Sequence, residues 1–147
     1  MFNWIVIGVG DITRRRVIPA IQAECRSRLY GIVTRDPAKA LPYNTRVWTS
    51  LAEALCDRAV QAVYVASPVF LHAPQTIQSL RAGKHVLCEK PMAMNAVEAH
   101  SMLRGRRKRK DSRHPLLPQG VPQGTAGETI TGSWCNRKTS ARGTRFS

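Results

Sequence analysis

Apolar residues fall in short blocks separated by stretches of helical period. Asn3–Val9 is a hydrophobic run ending in glycine, the pattern of a strand buried on both faces of a parallel sheet. After it, Val17, Ile18, Ile21 and Cys25 recur at three- and four-residue steps and predict a helix from about Thr13 to Cys25. Leu29–Val33 predicts a second strand and Arg46–Trp48 a weaker third. Ser50 with Glu53 forms a capping-box pattern for a helix to about Cys56. Ala62–Ala66 predicts a fourth strand, and Ala73–Ala82 a helix that Gly83 terminates. His85–Cys88 follows as a fifth strand; Asn95 and Glu98 then repeat the capping pattern and open a helix still regular at Leu103.

Strands alternating with helices at this spacing predict an α/β fold, a doubly wound parallel sheet of the Rossmann type, because each crossover must return over the sheet. No internal repeat is visible. With 147 residues there is room for one ordinary domain and some excess chain.

Charge divides the chain in two. Residues 1–103 carry 12 basic and 7 acidic side chains, whereas residues 104–147 carry 11 basic and 2 acidic. Only nine of those last 44 residues are apolar, too few to offset the entropy of ordering them. The expected organisation is a folded domain over 1–103 and a basic, disordered tail over 104–147.

No window approaches the about 18 apolar residues of a membrane span, and Met1–Val9 lacks the flanks of a signal peptide, so a cytoplasmic location is expected. Cys25, Cys56, Cys88 and Cys135 lie far apart without a Cys-x-x-Cys pair, so no metal site is predicted. The first three read as reduced core thiols.

Gly8-Val9-Gly10-Asp11-Ile12-Thr13 joins the first strand to the first helix. In a dinucleotide fold the first glycine permits the tight turn and the second lets the backbone approach a pyrophosphate. The helix start, at Asp11 and Ile12, then offers N–H donors. Thr13 replaces a third glycine, and a plain tight turn is the competing reading. The second strand ends Val33-Thr34-Arg35-Asp36. With Thr34 at the ribose position no carboxylate repels a 2′-phosphate and Arg35 pairs with it, which favours NADP. A shift of two residues would put Asp36 there and favour NAD; otherwise Asp36 begins the turn at Pro37. Arg14, Arg15 and Arg16 read as a solvated face or as guanidinium groups approaching the cofactor phosphates.

The fourth strand is followed by Ala66-Ser67-Pro68-Val69-Phe70-Leu71-His72, and the fifth by Glu89-Lys90-Pro91. Together with Gly8-Val9-Gly10, this set resembles the N-terminal domain of the Gfo/Idh/MocA family, the glucose-fructose oxidoreductase and inositol dehydrogenase-like enzymes, over residues 1 to about 103. The resemblance implies NAD(P) binding and hydride transfer to or from a sugar or polyol carbon. It makes Lys90 the catalytic-motif lysine, beside the nicotinamide and the substrate hydroxyl, and places Ser67, Pro68 and His72 along the cofactor cleft with Glu89 nearby. A cation there stabilises a developing alkoxide. Without the resemblance, Lys90 reads as a surface residue, His72 as a loop or capping histidine, and Glu89 as a salt-bridge partner.

The family continues into a sixth strand and a C-terminal α/β domain that holds the substrate. Here Arg104 opens Arg-Gly-Arg-Arg-Lys-Arg-Lys instead, followed by Pro, Gly, Thr and Ser without a period. The change falls within a helix, so the tail is expected to be an out-of-frame reading of the lost continuation, and the domain to be inactive alone and to self-associate through an exposed sheet edge. Two rivals stand beside this reading. Another chain supplies the substrate half, or the chain is a small basic protein that binds nucleic acid or an anionic surface through residues 104–110. Only Trp134 and Phe146 offer aromatic stacking in the tail, and His114 and Cys135 lack partners at metal-ligand spacing.

Overall fold

The computed structural model describes residues 1–110, with side-chain environments through residue 105. Five parallel strands, β1 (Phe2–Ile7), β2 (Ser27–Val33), β3 (Arg46–Trp48), β4 (Ala62–Val65) and β5 (His85–Cys88), form one sheet in the order β3-β2-β1-β4-β5. Between them run α1 (Ile18–Ala23), α2 (Leu51–Cys56) and α3 (His72–Arg81); α4 (Ala96–Lys110) follows β5. The expected doubly wound sheet is present, with each strand within two residues of its expected bounds.

The alternation along β1 shows why its buried half, Ile5–Ile7, is apolar throughout. Ile5 and Ile7 point to one face, where they join Val33, Val63 and Val65 beneath Ala54 and Leu55 of α2. Val6 points to the other, joining Ile32 and Tyr64 beneath Ile18 and Ile21 of α1. Each fully buried aliphatic side chain contributes roughly 1.5–3 kcal/mol, so both faces of the strand are needed to hold the layers. In β2 the missing side chain of Gly31 makes room for a neighbour: a Cβ there would lie 2.2 Å from Cζ3 of Trp48.

Several local features depart from the expected pattern. The helix after the glycine turn spans residues 11–23 and widens into a π-helical stretch over Thr13–Val17. It ends at Ala23, two residues early, because Glu24 is extended (φ −75°, ψ 118°) and its carbonyl accepts from Ser27 N at 3.0 Å. An unexpected 3-10 segment occupies Pro37–Tyr43. Of the two capping patterns, Ser50 makes no side-chain cap, whereas Asn95 Oδ1 accepts from Glu98 N at 2.9 Å. Glu98 reaches back to Met94 N rather than to Asn95.

Cys25 and Cys88 are partly buried and Cys56 is exposed, so the reduced thiols are less interior than expected. The last helix passes through the expected boundary at residue 103. Met102 is buried, and the Cα of Gly105 faces Leu80 and Ile77 of α3 so closely that a Cβ would meet them at 3.6 and 3.9 Å. The tail from residue 111 onward, including His114, Trp134 and Cys135, lies outside the described residues. Among the described residues no helix is long and apolar enough to cross a membrane.

Candidate functional site

Strand order places the site. The chain leaves β1 toward β2 on one side and leaves β4 toward β5 on the other, so a crevice opens between the carboxyl ends of β1 and β4. A cavity of about 740 Å³ lies there. Its walls are Gly8, Val9 and Gly10 after β1; Thr34, Arg35, Asp36 and Lys39 after β2; Thr49 and Leu51 after β3; and Ala66, Ser67, Pro68, Leu71 and Gln75 after β4.

The two glycines of the turn have different reasons to be glycine. Gly8 has φ +87°, and a Cβ on it would stand 2.8 Å from the Ala66 carbonyl oxygen. It is required by the backbone and by its neighbour on β4. A Cβ on Gly10 would meet nothing within 4 Å. The fold does not fill that space, which lies on the cavity wall, next to the first helical turn; Arg14 N bonds the Gly10 carbonyl at 3.0 Å and starts the hydrogen-bond ladder. The amides of Asp11 and Ile12 precede that bond, and a helix start of this kind favours an anion.

On the β2 side, Thr34 is fixed by its N–H to the Trp48 carbonyl (3.0 Å) and by Asp36 N donating to its hydroxyl oxygen (3.2 Å). Asp36 is engaged elsewhere: one carboxylate oxygen caps the 3-10 segment at Ala38 N (3.2 Å), and the other lies 3.9 Å from Lys39 Nζ. Arg35 is exposed and, among the described residues, forms no ion pair, so a cation faces this end of the cavity. Lys39 also borders a second cavity of about 490 Å³ with Arg14, Arg15, Pro42 and Tyr43. Arg14 lies 4.0 Å from Asp11, with both side chains well exposed.

On the β4–β5 side, Ser67 Oγ donates to Gln75 Oε1 at 2.6 Å. His72, 2% exposed, lies behind that loop with Nε2 2.7 Å from the Ser67 carbonyl oxygen and Nδ1 2.9 Å from the Pro91 carbonyl oxygen. Glu89 leaves β5 and accepts from the Tyr64 hydroxyl and from Lys90 N at 3.0 Å. Those bonds, the tyrosine first, hold the Glu89 carboxyl below the usual carboxylate range, and the charges of Lys90 and His72 act in the same direction. Burial, then the Glu89 partner, pushes the Tyr64 phenol upward. Lys90 is exposed and precedes Pro91 through a cis peptide bond.

Six of the residues singled out by sequence, Gly8, Gly10, Thr34, Arg35, Ser67 and Pro68, line the cavity together. Asp11 and Ile12 are exposed and are not among the residues that line it. His72, Glu89 and Lys90 form a group behind Ser67 and outside the cavity wall. Lys39, Thr49, Leu51 and Gln75 line the cavity without having been singled out. Lys39 carried one usable signal, a cation five residues after Thr34; Tyr64 carried none, because a tyrosine inside an apolar strand reads as core.

A family model described as "Oxidoreductase family, NAD-binding Rossmann fold" matches residues 2–113. The chain is 32% identical over 146 aligned residues to the 1,5-anhydro-D-fructose reductase of Ensifer adhaerens, covering 88% of this chain and 44% of that protein. It is 39% identical over 102 residues to the dTDP-3,4-didehydro-2,6-dideoxy-alpha-D-glucose 3-reductase of Streptomyces violaceoruber, covering 67% of this chain and 30% of that one. Among solved structures, KijD10, a 3-ketoreductase from Actinomadura kijaniata in complex with NADP and TDP-benzene, superposes with a TM-score of 0.69 at 34% identity. That likeness covers 74% of this chain and 34% of the other. The chain thus spans less than half the length of these relatives, and the alignment covering 88% of it continues past Leu103.

Proposed function

Because this chain belongs to the Gfo/Idh/MocA oxidoreductase family and spans its NAD-binding Rossmann domain, we propose that it binds NADP in preference to NAD as the cofactor half of a sugar- or polyol-type oxidoreductase and is inactive alone. In this reading the diphosphate rests on Gly8, Gly10 and the amides of Asp11 and Ile12. The adenosine ribose lies by Thr34, with Arg35 and Lys39 toward the 2′-phosphate. Ser67 and Pro68 flank the nicotinamide half, and Lys90 is the catalytic residue. The nicotinamide, when bound, gives or accepts the hydride; Lys90 steadies the charge on the substrate oxygen as its proton leaves or arrives.

One observation carries the reading. Gly10 faces open space on the wall of a cavity at the sheet's switch point, beside a turn that Gly8 fixes for structural reasons. A plain turn has no need of the second glycine; a backbone that must approach a diphosphate does. The engaged state of Asp36 supports the preference for NADP, since its carboxylate is held by Ala38 N and Lys39. The 3-ketoreductase that this chain resembles was crystallised with NADP.

Isothermal titration of the full chain with NADPH and with NADH tests it: both should bind, NADPH more tightly, and absence of heat with either overturns the reading. In this reading hydride transfer needs a substrate-binding portion, and the chain matches 44% and 30% of the lengths of these two relatives. Leu87 on β5, the last strand of the sheet, is 53% exposed, and we expect self-association along that edge. A second reading rests on the basic run Arg104–Lys110, which gives the end of α4 a non-specific attraction for nucleic acid or another polyanion.

A further inference from the structure

His72 is one of five buried polar or charged residues among the described residues, none of which lines the cavity. Its two ring nitrogens face two backbone carbonyl oxygens, Ser67 at 2.7 Å and Pro91 at 2.9 Å, from loops that leave neighbouring strands. A carbonyl oxygen only accepts. A neutral imidazole has one N–H and one lone pair, so in either tautomer one of the two contacts would set lone pair against lone pair; with both nitrogens protonated, each donates. The ring is 2% exposed, so water cannot repair a mismatch. Glu89 at the end of β5, bonded by the Tyr64 hydroxyl of β4 and by Lys90 N, is the anion of this region. Lys90 and Cys88 are the other titratable groups on that segment, and the neutral Gln75 and Thr76 follow His72 by three and four residues on α3.

We propose that His72 is a positioning residue, donating from both ring nitrogens, that clamps the Ser67 loop of the cavity wall to the Lys90–Pro91 segment and so sets where Lys90 stands relative to the nicotinamide half. This rests on the cofactor reading above and extends it. The residue touches neither the cavity nor the reacting atoms; it acts through the two backbones it joins.

Two conservative variants each keep one end of the clamp. Asparagine places its amide nitrogen where Nδ1 stands, and glutamine places its own where Nε2 stands. Titrations with NADPH and with 2′,5′-ADP, which lacks the nicotinamide half, separate positioning from general damage. For the full chain, H72F should weaken NADPH about tenfold and leave 2′,5′-ADP within about twofold, with H72N and H72Q falling between H72F and the wild type. Equal losses for both ligands, or no loss of NADPH in H72F, overturn the proposal. Nitrogen-15 spectra of the wild-type imidazole supply an arm free of both cofactor and mutant folding: two protonated ring nitrogens near neutral pH support the clamp, and one overturns it. If the wild type binds neither ligand, the cofactor reading fails, and the ring spectrum still decides the clamp.

Discussion

The Ala66 carbonyl oxygen at the end of β4 lies 2.8 Å from the place a Cβ of Gly8 would occupy, and no atom comes within 4 Å of the corresponding place on Gly10. Two glycines two residues apart therefore differ: the fold itself constrains Gly8, whereas Gly10 faces open space on the cavity wall.

Substitution separates them. Gly8→Ala combines a positive φ with a backbone clash and should lower stability by about 3 kcal/mol, seen as a lower melting temperature. Gly10→Ala should change stability by less than about 1 kcal/mol yet weaken NADPH in a fluorescence titration. Equal stability losses in the two variants would refute the distinction.

Arg35 and Lys39 border the same end of the cavity. Arg35→Ala should weaken NADPH by about 10- to 100-fold, the effect of losing a charge-assisted hydrogen bond, while NADH changes little. Lys39→Ala should do the same to a smaller degree, since Lys39 already faces Asp36. Parallel losses for NADH and NADPH would mean that neither residue meets the 2′-phosphate.

Lys90→Ala should abolish any hydride transfer the chain shows when supplied with a substrate half, while cofactor affinity stays near that of the wild type. Assays with and without candidate partner chains give both numbers. Unaltered turnover would remove Lys90 from the chemistry.

Glu89 has its acidity raised in the folded state by Tyr64 and by Lys90 N. A carboxyl with a depressed folded pKa adds stability above its unfolded value, about 4.3, and that stability is lost as pH falls through the folded value. Melting temperatures followed from pH 6 downward, to about pH 3, should therefore drop less steeply in Tyr64→Phe than in the wild type. The variant begins from a lower plateau because it leaves the carboxylate without its hydroxyl donor. Curves of the same shape would show that the pair does not couple to folding.

The basic run should retard random DNA in a shift assay with a steep salt dependence. Deletion of residues 104–147 should abolish that affinity; affinity for random DNA that survives it would rule out the run as the source.

What could be read from sequence follows from periodicity. A strand buried on both faces announces itself as an apolar run, as Ala62–Val65 does; His85–Cys88 is legible from its apolar Val86-Leu87-Cys88 after Gly83, although Leu87 is exposed, and the glycine turn is placed by the strand before it. The Pro37–Tyr43 segment was not, because seven residues with prolines at both Pro37 and Pro42 hold no helical period, and Lys39 was hidden with it. The two capping patterns look alike in sequence and differ in fact, since a cap depends on a side-chain rotamer that spacing does not specify. His72 was visible as part of a motif, but its partners Ser67 and Pro91 belong to separate strand ends that only the sheet brings together. The hydrophobic signal fades at Leu103, whereas α4 persists beyond it, because a helix continues wherever its backbone can, even after its apolar stripe has ended.

Gly31 yields its side-chain space to the indole of Trp48, and the next residue, Thr49, belongs to the cavity wall. The molecule thus carries a built-in chromophore one peptide unit from the cavity wall. Its emission, isolated by a Trp4→Phe, Trp134→Phe background, offers a label-free optical signal of occupancy beside that wall.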